Sequence, residues 1–196
     1  LVKEHNFTHH SCSDVLRDEL KSRGEIESRD KLRDVGNELR TQYGTKILGQ
    51  RVRQEIIDNQ EGRAVVTSIR HPDEIEALQK DNNFHLISVD AKARLRFERL
   101  RRRDRQGDSA TFAEFKKQGA EEMDTAGLGQ QIGVCMSQAD HQVLNSGTFA
   151  DLYVKVDQVL TGHLVADIAF HIGVKQVLSG HHKFLCGAAE IIPALG

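Results

Sequence analysis

The sequence predicts an α/β fold, a parallel sheet flanked by helices, and three observations carry that prediction. AVVTSI at 64–69 and FHLISV at 84–89 are short, largely apolar runs of the kind buried on both faces of a parallel sheet, and HQVLN at 141–145 is a further strand. Between these runs apolar residues recur at helical spacing, so strand and helix alternate along the chain. With 196 residues, 38% hydrophobic and 29% charged, the chain is long enough to bury a full core and too polar to be a membrane protein. In sheets of this kind ligands bind beyond the carboxyl ends of the strands, so functional residues are expected just after positions 69, 89 and 145.

Each element has a local reason. Ser11 and Ser13 are caps before DVLRDELKSRG, where Val15, Leu16 and Leu20 form a stripe and Gly24 can end the helix. In SRDKLRDVGNELRTQYG the stripe is Leu32, Val35 and Leu39, and Gly44 stands where a helix terminus needs positive φ. A third helix is expected over 45–59. Pro72 opens a helix over 72–80, and ARLRFERLRRR forms another after the strand at 84–89, with Phe97 and Leu100 as core candidates. A short helix near TFAEFKKQGAEEM, a helix at 129–138 and one at 148–160 complete the pattern.

Composition divides the chain at residue 160. Residues 161–196 contain no arginine, only four charged side chains, and four of the ten histidines. The expected organisation is therefore a domain over 1–160 and a tail over 161–196, to which the sequence assigns no function. Within the tail, Leu164, Val165, Ile168 and Ile172 have helical spacing, but Asp167 and Lys175 interrupt any membrane-spanning reading.

Cys12, Cys135 and Cys186 have no CxxC spacing, which points away from a disulfide framework or thiolate zinc site and toward a reducing, cytoplasmic setting. His9–His10 and His181–His182 are adjacent pairs without an H-x₃-H or cysteine partner, so no metal site is expected from them. The chain opens on Leu1 rather than Met, and is read as beginning inside a longer reading frame.

Charge is the strongest functional signal. Seven arginines lie between Arg94 and Arg105 against only Glu98 and Asp104, although the whole chain has a formal net charge of −2. Arg96, Arg99 and Arg103 fall at i, i+3 and i+7, which puts three permanently charged, forked donors on one helix face. Such a face can stabilise charge on a transferring phosphoryl group. It can equally be a solvated face or a nucleic-acid patch; the near-neutral total charge and 5% aromatic content argue against nucleic acid.

Four segments taken in order resemble parts of the adenylate-kinase-like branch of the P-loop nucleoside and nucleotide kinases, a group that includes dephospho-CoA kinase. HSCSDVLRDELKSRG is similar to the acceptor-binding segment, VVTSIRHPDEIEAL to the strand and turn after it, the arginine helix with its polar successor (about 94–128) to the lid, and ADHQVLNSGTFADL to the strand and Gly-Thr turn beside adenine. The resemblance implies a nucleotide-kinase-like P-loop fold, with ATP and Mg²⁺ as cofactors and a small nucleotide-like acceptor, either a nucleoside monophosphate or dephospho-CoA. It implies acceptor contacts from Ser13, Asp14, Arg17, Arg40 and Arg70, catalytic arginines in Arg96, Arg99 and Arg103, and a nucleotide-base turn at Asn145, Gly147 and Thr148. Asp14 gains a role as base if the acceptor group is a hydroxyl.

Two departures limit the resemblance. The phosphate loop G-x-x-x-x-G-K-[ST], which carries the lysine and the metal-binding hydroxyl, does not occur in the 196 residues. The expected domain therefore lacks the family's first strand and phosphate loop, with LVKEHNF read as the end of the first helix leading to the next strand. Thr67 stands where many relatives place an acidic residue that orients the hydrated metal, with Asp90 as a candidate substitute. Poor catalysis by these residues is expected, and the alternative is a nucleotide-binding regulatory module without turnover.

Overall fold

The computed structural model describes residues 1–80, 84–103, 110–123, 129–173 and 183–188, with side chains for these except Glu4 and those from 163 onward. The parts of the expected lid at 104–109 and 124–128, and His181–His182 of the tail, lie outside the described residues.

A four-residue helix, α1 (Val2–His5), ends at Asn6 in the left-handed conformation and turns the chain into β1 (Thr8–Ser11). Ser11 then caps α2 (Cys12–Ser22), its side chain accepting from the Ser13 amide at 3.2 Å, and Gly24 at φ 69° follows the helix. Ser28 caps α3 (Arg29–Tyr43) in the same way, and Gly44 at φ 90° stops it. After α4 (Ile47–Asp58) comes β2 (Arg63–Thr67), which ends two residues earlier than its apolar run because Ser68 takes φ 61° and bends the chain.

His71 caps α5 (Pro72–Leu78) in a full capping box with Glu74, and Pro72 occupies the first turn, where its missing N–H costs nothing. β3 (Phe84–Asp90), α6 (Ala93–Arg103), α7 (Phe112–Met123), α8 (Ile132–Ser137) and β4 (His141–Leu144) follow. Helix α8 is shorter than expected, because Gln131 before it has non-helical backbone and its amide is drawn to the Arg70 carbonyl at 2.7 Å.

The composition boundary at 160 is not a break in the backbone. Helix α9 (Phe149–Gly173) runs through it, since loss of charge does not terminate a helix and no proline intervenes. The tail also supplies β5 (Lys183–Ala188), which lies between β2 and β3 in a five-stranded sheet of order β1-β2-β5-β3-β4. All four pairings are parallel; Val65 faces Leu185 on one side of β5, and Ile87 faces Gly187 on the other.

Alternate strand residues bury opposite faces. Val66 and Leu86 join Leu20, Leu39, Leu48, Val52, Ile56, Ile75 and Leu78 in one core, on the side of α2–α5. Val65, Ile87 and Val143 join Phe7, Leu152 and Leu160 in the other, under α9. Burying each Leu or Ile contributes roughly 1.5–3 kcal/mol. Because the strands run parallel, the segments that follow β1, β2, β3 and β4 leave the sheet at the same edge.

Candidate functional site

The last rung of the β1–β2 ladder pairs Ser11 with Thr67, so the chain leaves both strands side by side at their carboxyl ends. Beyond Ser11, the first two turns of α2 carry Ser13, Asp14 and Arg17. Arg17 donates to Asp14 at 2.6 Å and to Glu27 at 3.1 Å. Burial opposes its charge, but the bonds from Asp14 and Glu27 outweigh that and hold its pKa above the ordinary value.

Beyond Thr67, Ser68 holds a backbone conformation that non-glycine residues rarely adopt, and Arg70 follows immediately. Glu74, fully buried, fixes this turn from below. One of its carboxylate oxygens accepts from the amides of Arg70 at 2.9 Å and His71 at 3.3 Å, while the other accepts from Arg40 at 2.8 Å. Arg40 is only 5% exposed, and its Nε has no hydrogen-bond partner. Arg40 therefore meets the site through Glu74 and the backbone of Arg70.

The Arg70 side chain reaches toward α7 and α8. It donates to Gln130 at 2.9 Å and lies 3.8 Å from the Glu122 carboxylate, whose other oxygen accepts from Arg29 at the start of α3. Glu122 is thus shared by two guanidinium groups from different elements.

At the ends of β3 and β4, Arg99 donates to the carbonyls of Asn145 at 2.9 Å and Gly147 at 3.0 Å, and the Asn145 backbone amide donates to the Asp90 backbone carbonyl at 2.7 Å. Thr148 and Asp151 form a reciprocal cap on α9. The backbone amide of Thr148, then its hydroxyl, holds the Asp151 carboxyl below its ordinary range. Arg96 lies 3.7 Å from Asp90 and stacks over Phe115, while Arg94 stacks over Phe112. Phe97, Phe112 and Phe115 form the contact between α6 and α7. Arg103 ends α6.

The predicted residues therefore fall into two groups. Ser13, Asp14, Arg17 and Arg70 follow adjacent strands β1 and β2, with Arg40 supporting from beneath. Arg96, Arg99, Asn145, Gly147 and Thr148 gather at the ends of β3 and β4. Arg17, Arg70 and Arg99 share no described partner.

The described residues do not by themselves build a magnesium site. The Thr67 hydroxyl donates to the His10 carbonyl at 3.3 Å and bonds His9 at 2.9 Å, Asp90 faces Arg96, and among the described residues no three His, Cys, Asp or Glu side chains converge. Cys12 and Cys135 are buried thiols; burial, then the negative charge of Glu74, pushes Cys135 up to about 12. No helix among the described residues is long and apolar enough to cross a membrane.

A two-faced parallel sheet with ligand-type residues along its carboxyl edge is the architecture of a P-loop nucleoside-triphosphatase-type domain, and the profile of the AAA domain family matches residues 1–116. A UPF0200 protein of Methanothermobacter thermautotrophicus is 32% identical over 148 residues, covering 75% of this chain and 73% of that protein. UPF0200 proteins of Hyperthermus butylicus and Methanocaldococcus jannaschii are 27% identical over 148 residues and 29% over 162, covering 76% and 82% of this chain and 77% and 80% of theirs. The chain belongs to the AAA domain family and to the UPF0200 family.

Sequence reasoning did not find Glu74, Arg29 or Glu122. Glu74 had a local signal, the H-P-D-E spacing of a capping box. Arg29 and Glu122 had none, because 93 residues separate them.

Proposed function

We propose that this domain is an ATP-dependent phosphotransferase module whose acceptor is a small nucleotide-like molecule, a nucleoside monophosphate or dephospho-CoA. The observation that carries the reading is the placement of Arg17 and Arg70 just beyond the adjacent carboxyl ends of β1 and β2, where a phosphate monoester can be gripped by permanent charge. Arg70 has its backbone pinned by Glu74 and so presents its guanidinium from a rigid base.

Ser13, Asp14, Arg17 and Arg70 hold the acceptor, with Arg40 acting through Glu74. The Asn145–Thr148 turn lies against the nucleotide base. Arg96, Arg99 and Arg103 neutralise charge on the transferred phosphoryl once the α6–α7 lid rearranges, which requires Arg99 to leave the turn carbonyls. Mg²⁺ would supply charge neutralisation on the phosphates in such a reaction, but Thr67 and Asp90 do not fit it: the Thr67 hydroxyl is engaged by His9 and the His10 carbonyl, and the Asp90 carboxylate faces Arg96. With no G-x-x-x-x-G-K-[ST] among the 196 residues, their turnover is expected to be slow.

A second reading, a nucleotide-binding regulatory module without turnover, is favoured by the engagement of the Thr67 hydroxyl with His9 and the His10 carbonyl. Calorimetric titration with AMP, adenosine and dephospho-CoA, together with an ATP turnover assay, tests both. AMP is expected to bind at least roughly tenfold more tightly than adenosine, with Arg70→Ala abolishing the difference, since a charged hydrogen bond is worth about 1.5–3 kcal/mol. Equal affinity for AMP and adenosine overturns the acceptor site. Turnover near the ordinary enzyme range of roughly 1 s⁻¹ or more rejects the regulatory reading and the expectation of slow catalysis.

A further inference from the structure

We propose that the solvent side of the α6–α7 helix pair is a sequence-independent binding surface for the phosphodiester backbone of a nucleic-acid duplex, contacted by Arg101, Arg102, Lys116 and Lys117. The proposal goes beyond the phosphotransferase reading and does not rest on it, since none of these four residues is assigned to its acceptor or donor.

The near-neutral total conceals how charge is distributed. Residues 94–117 hold nine lysines and arginines against four aspartates and glutamates, a net +5, so the other 172 residues sum to −7. The fold then sorts the basic groups. Arg96 faces Asp90 at 3.7 Å and Arg99 donates to the carbonyls of Asn145 and Gly147, so both are turned to the protein. Arg94 lies over Phe112 and 3.6 Å from Glu98, and Arg103 is engaged as well. Arg101 and Arg102, by contrast, are exposed and make no hydrogen bond or ion pair, and the same holds for Lys116 and Lys117 on α7.

The described acids nearby are occupied, Glu98 by Arg94 and Glu114 by the Thr111 amide at 3.1 Å. Asp104 and Asp108, outside the described residues, are already counted in the net +5. Helix α7 turns acidic only at its far end, at Glu121 and Glu122.

The two helices form one platform. Phe97 packs on Phe112 and Phe115 with ring centroids 5.4 and 5.6 Å apart, and Arg94 and Arg96 stack over the same two rings of α7. Helices of 11 and 12 residues are about 16–18 Å long, and a duplex carries one charge per ~1.7 Å of axis, so several phosphates fall within their length. Arg101 and Arg102 line one open recess of about 320 Å³, with Glu98 on its wall.

Chemistry selects the partner. A membrane surface requires apolar residues that insert, but α6 buries Phe97 and Leu100, and the exposed large apolar residue of α7 is Met123, at its far end. An acidic protein is held through buried apolar or aromatic anchors, which these four cations do not surround. A single strand is held largely by stacking on aromatic faces, and Phe112 and Phe115 already carry Arg94 and Arg96. Permanent charge spread over a surface is what a duplex backbone neutralises. Charge alone distinguishes neither sequence nor sugar, so DNA and RNA duplexes share this chemistry.

Fluorescence anisotropy of labelled duplexes of about 20 base pairs, one DNA and one RNA, tests the surface with the full chain in 50–200 mM KCl. Micromolar binding is expected at the lowest salt, and four phosphate contacts give a slope of log K against log salt of about −3.6, or roughly a hundredfold loss across that range. Arg101→Gln/Arg102→Gln is expected to weaken binding about tenfold or more at 50 mM and to reduce the slope by about 2. Lys21→Gln/Arg33→Gln removes the same charge from exposed positions of α2 and α3 and is expected to change neither. All four side chains are exposed, so both variants should keep the parent Tm. Preference for one of the two duplexes identifies the source and sustains the surface. No binding to either at 50 mM, a slope shallower than about −2, or equal losses in the two double variants overturns the proposal. Tighter binding to the single strand, to polyglutamate or to phosphatidylserine vesicles than to the duplexes overturns it equally.

Discussion

Glu74→Gln is the substitution whose cost the structure defines most closely. The change keeps one oxygen that can accept from the Arg70 and His71 amides, at 2.9 and 3.3 Å, but turns the oxygen that accepts from Arg40 at 2.8 Å into an NH2 donor, removing the charge and that hydrogen bond together. Arg40, 5% exposed and already lacking a partner for its Nε, then keeps an uncompensated charge in the interior. Removing one member of a buried ion pair costs about 3–5 kcal/mol. For a chain of this size each kcal/mol moves Tm by about 2–4 °C, so Tm is expected to fall by roughly 6–20 °C. Urea and thermal unfolding followed by circular dichroism, for Glu74→Gln, Arg40→Met and the double variant, measure the cost and the coupling. The double variant should be more stable than Glu74→Gln alone, because it removes the orphaned charge as well. A Glu74→Gln protein within about 1 kcal/mol of the parent, or single costs that simply add, would refute the claim that this pair is buried and coupled.

Three more outcomes follow from named contacts. The Cys135 thiol, raised from 9.0 to about 12, keeps its proton in the folded chain where the unfolded chain loses it. Its contribution to stability is fully present below the ordinary value and is lost as pH rises toward 12, at about 1.4 kcal/mol per pH unit; urea midpoints from pH 7 to 11 should fall less steeply for Cys135→Ala than for the parent. Thr148→Ala removes the α9 cap and should cost about 1 kcal/mol in the same unfolding assay, with faster exchange in the first turn of the helix. Gly49→Ala places a Cβ 2.6 Å from the Glu74 carbonyl and 3.0 Å from its Cα, forcing α4 away from α5; a loss of about 1–3 kcal/mol is expected, with weakened phosphate binding because Glu74 carries the Arg70 turn.

Helix boundaries were legible because their causes are local: Ser11 and Ser28 accept from amides within three residues, Gly44 supplies positive φ, and Pro72 fits only a first turn. The end of β2 was not, since serine at 68 carries no sign that it will adopt φ 61°. β5 was illegible for a different reason: its place between β2 and β3 is set by pairing with strands roughly 100 residues or more away, and no local pattern encodes that. At the site, Arg17 and Arg70 could be read because they follow strand ends. The face of α6 could not be read fully, because spacing puts Arg96 and Arg99 on one side of the helix but does not say that Phe115 and the Asn145–Gly147 carbonyls wait there. The partners of Arg29 and Arg40, 93 and 34 residues distant, lie beyond any motif.

A crystal structure of the chain soaked with AMP tests the central claim most directly. The account requires the phosphate to lie against the guanidinium of Arg70, beyond the carboxyl ends of β1 and β2. Phosphate bound elsewhere, for example on the outer face of α6 at Arg101 and Arg102, would contradict it.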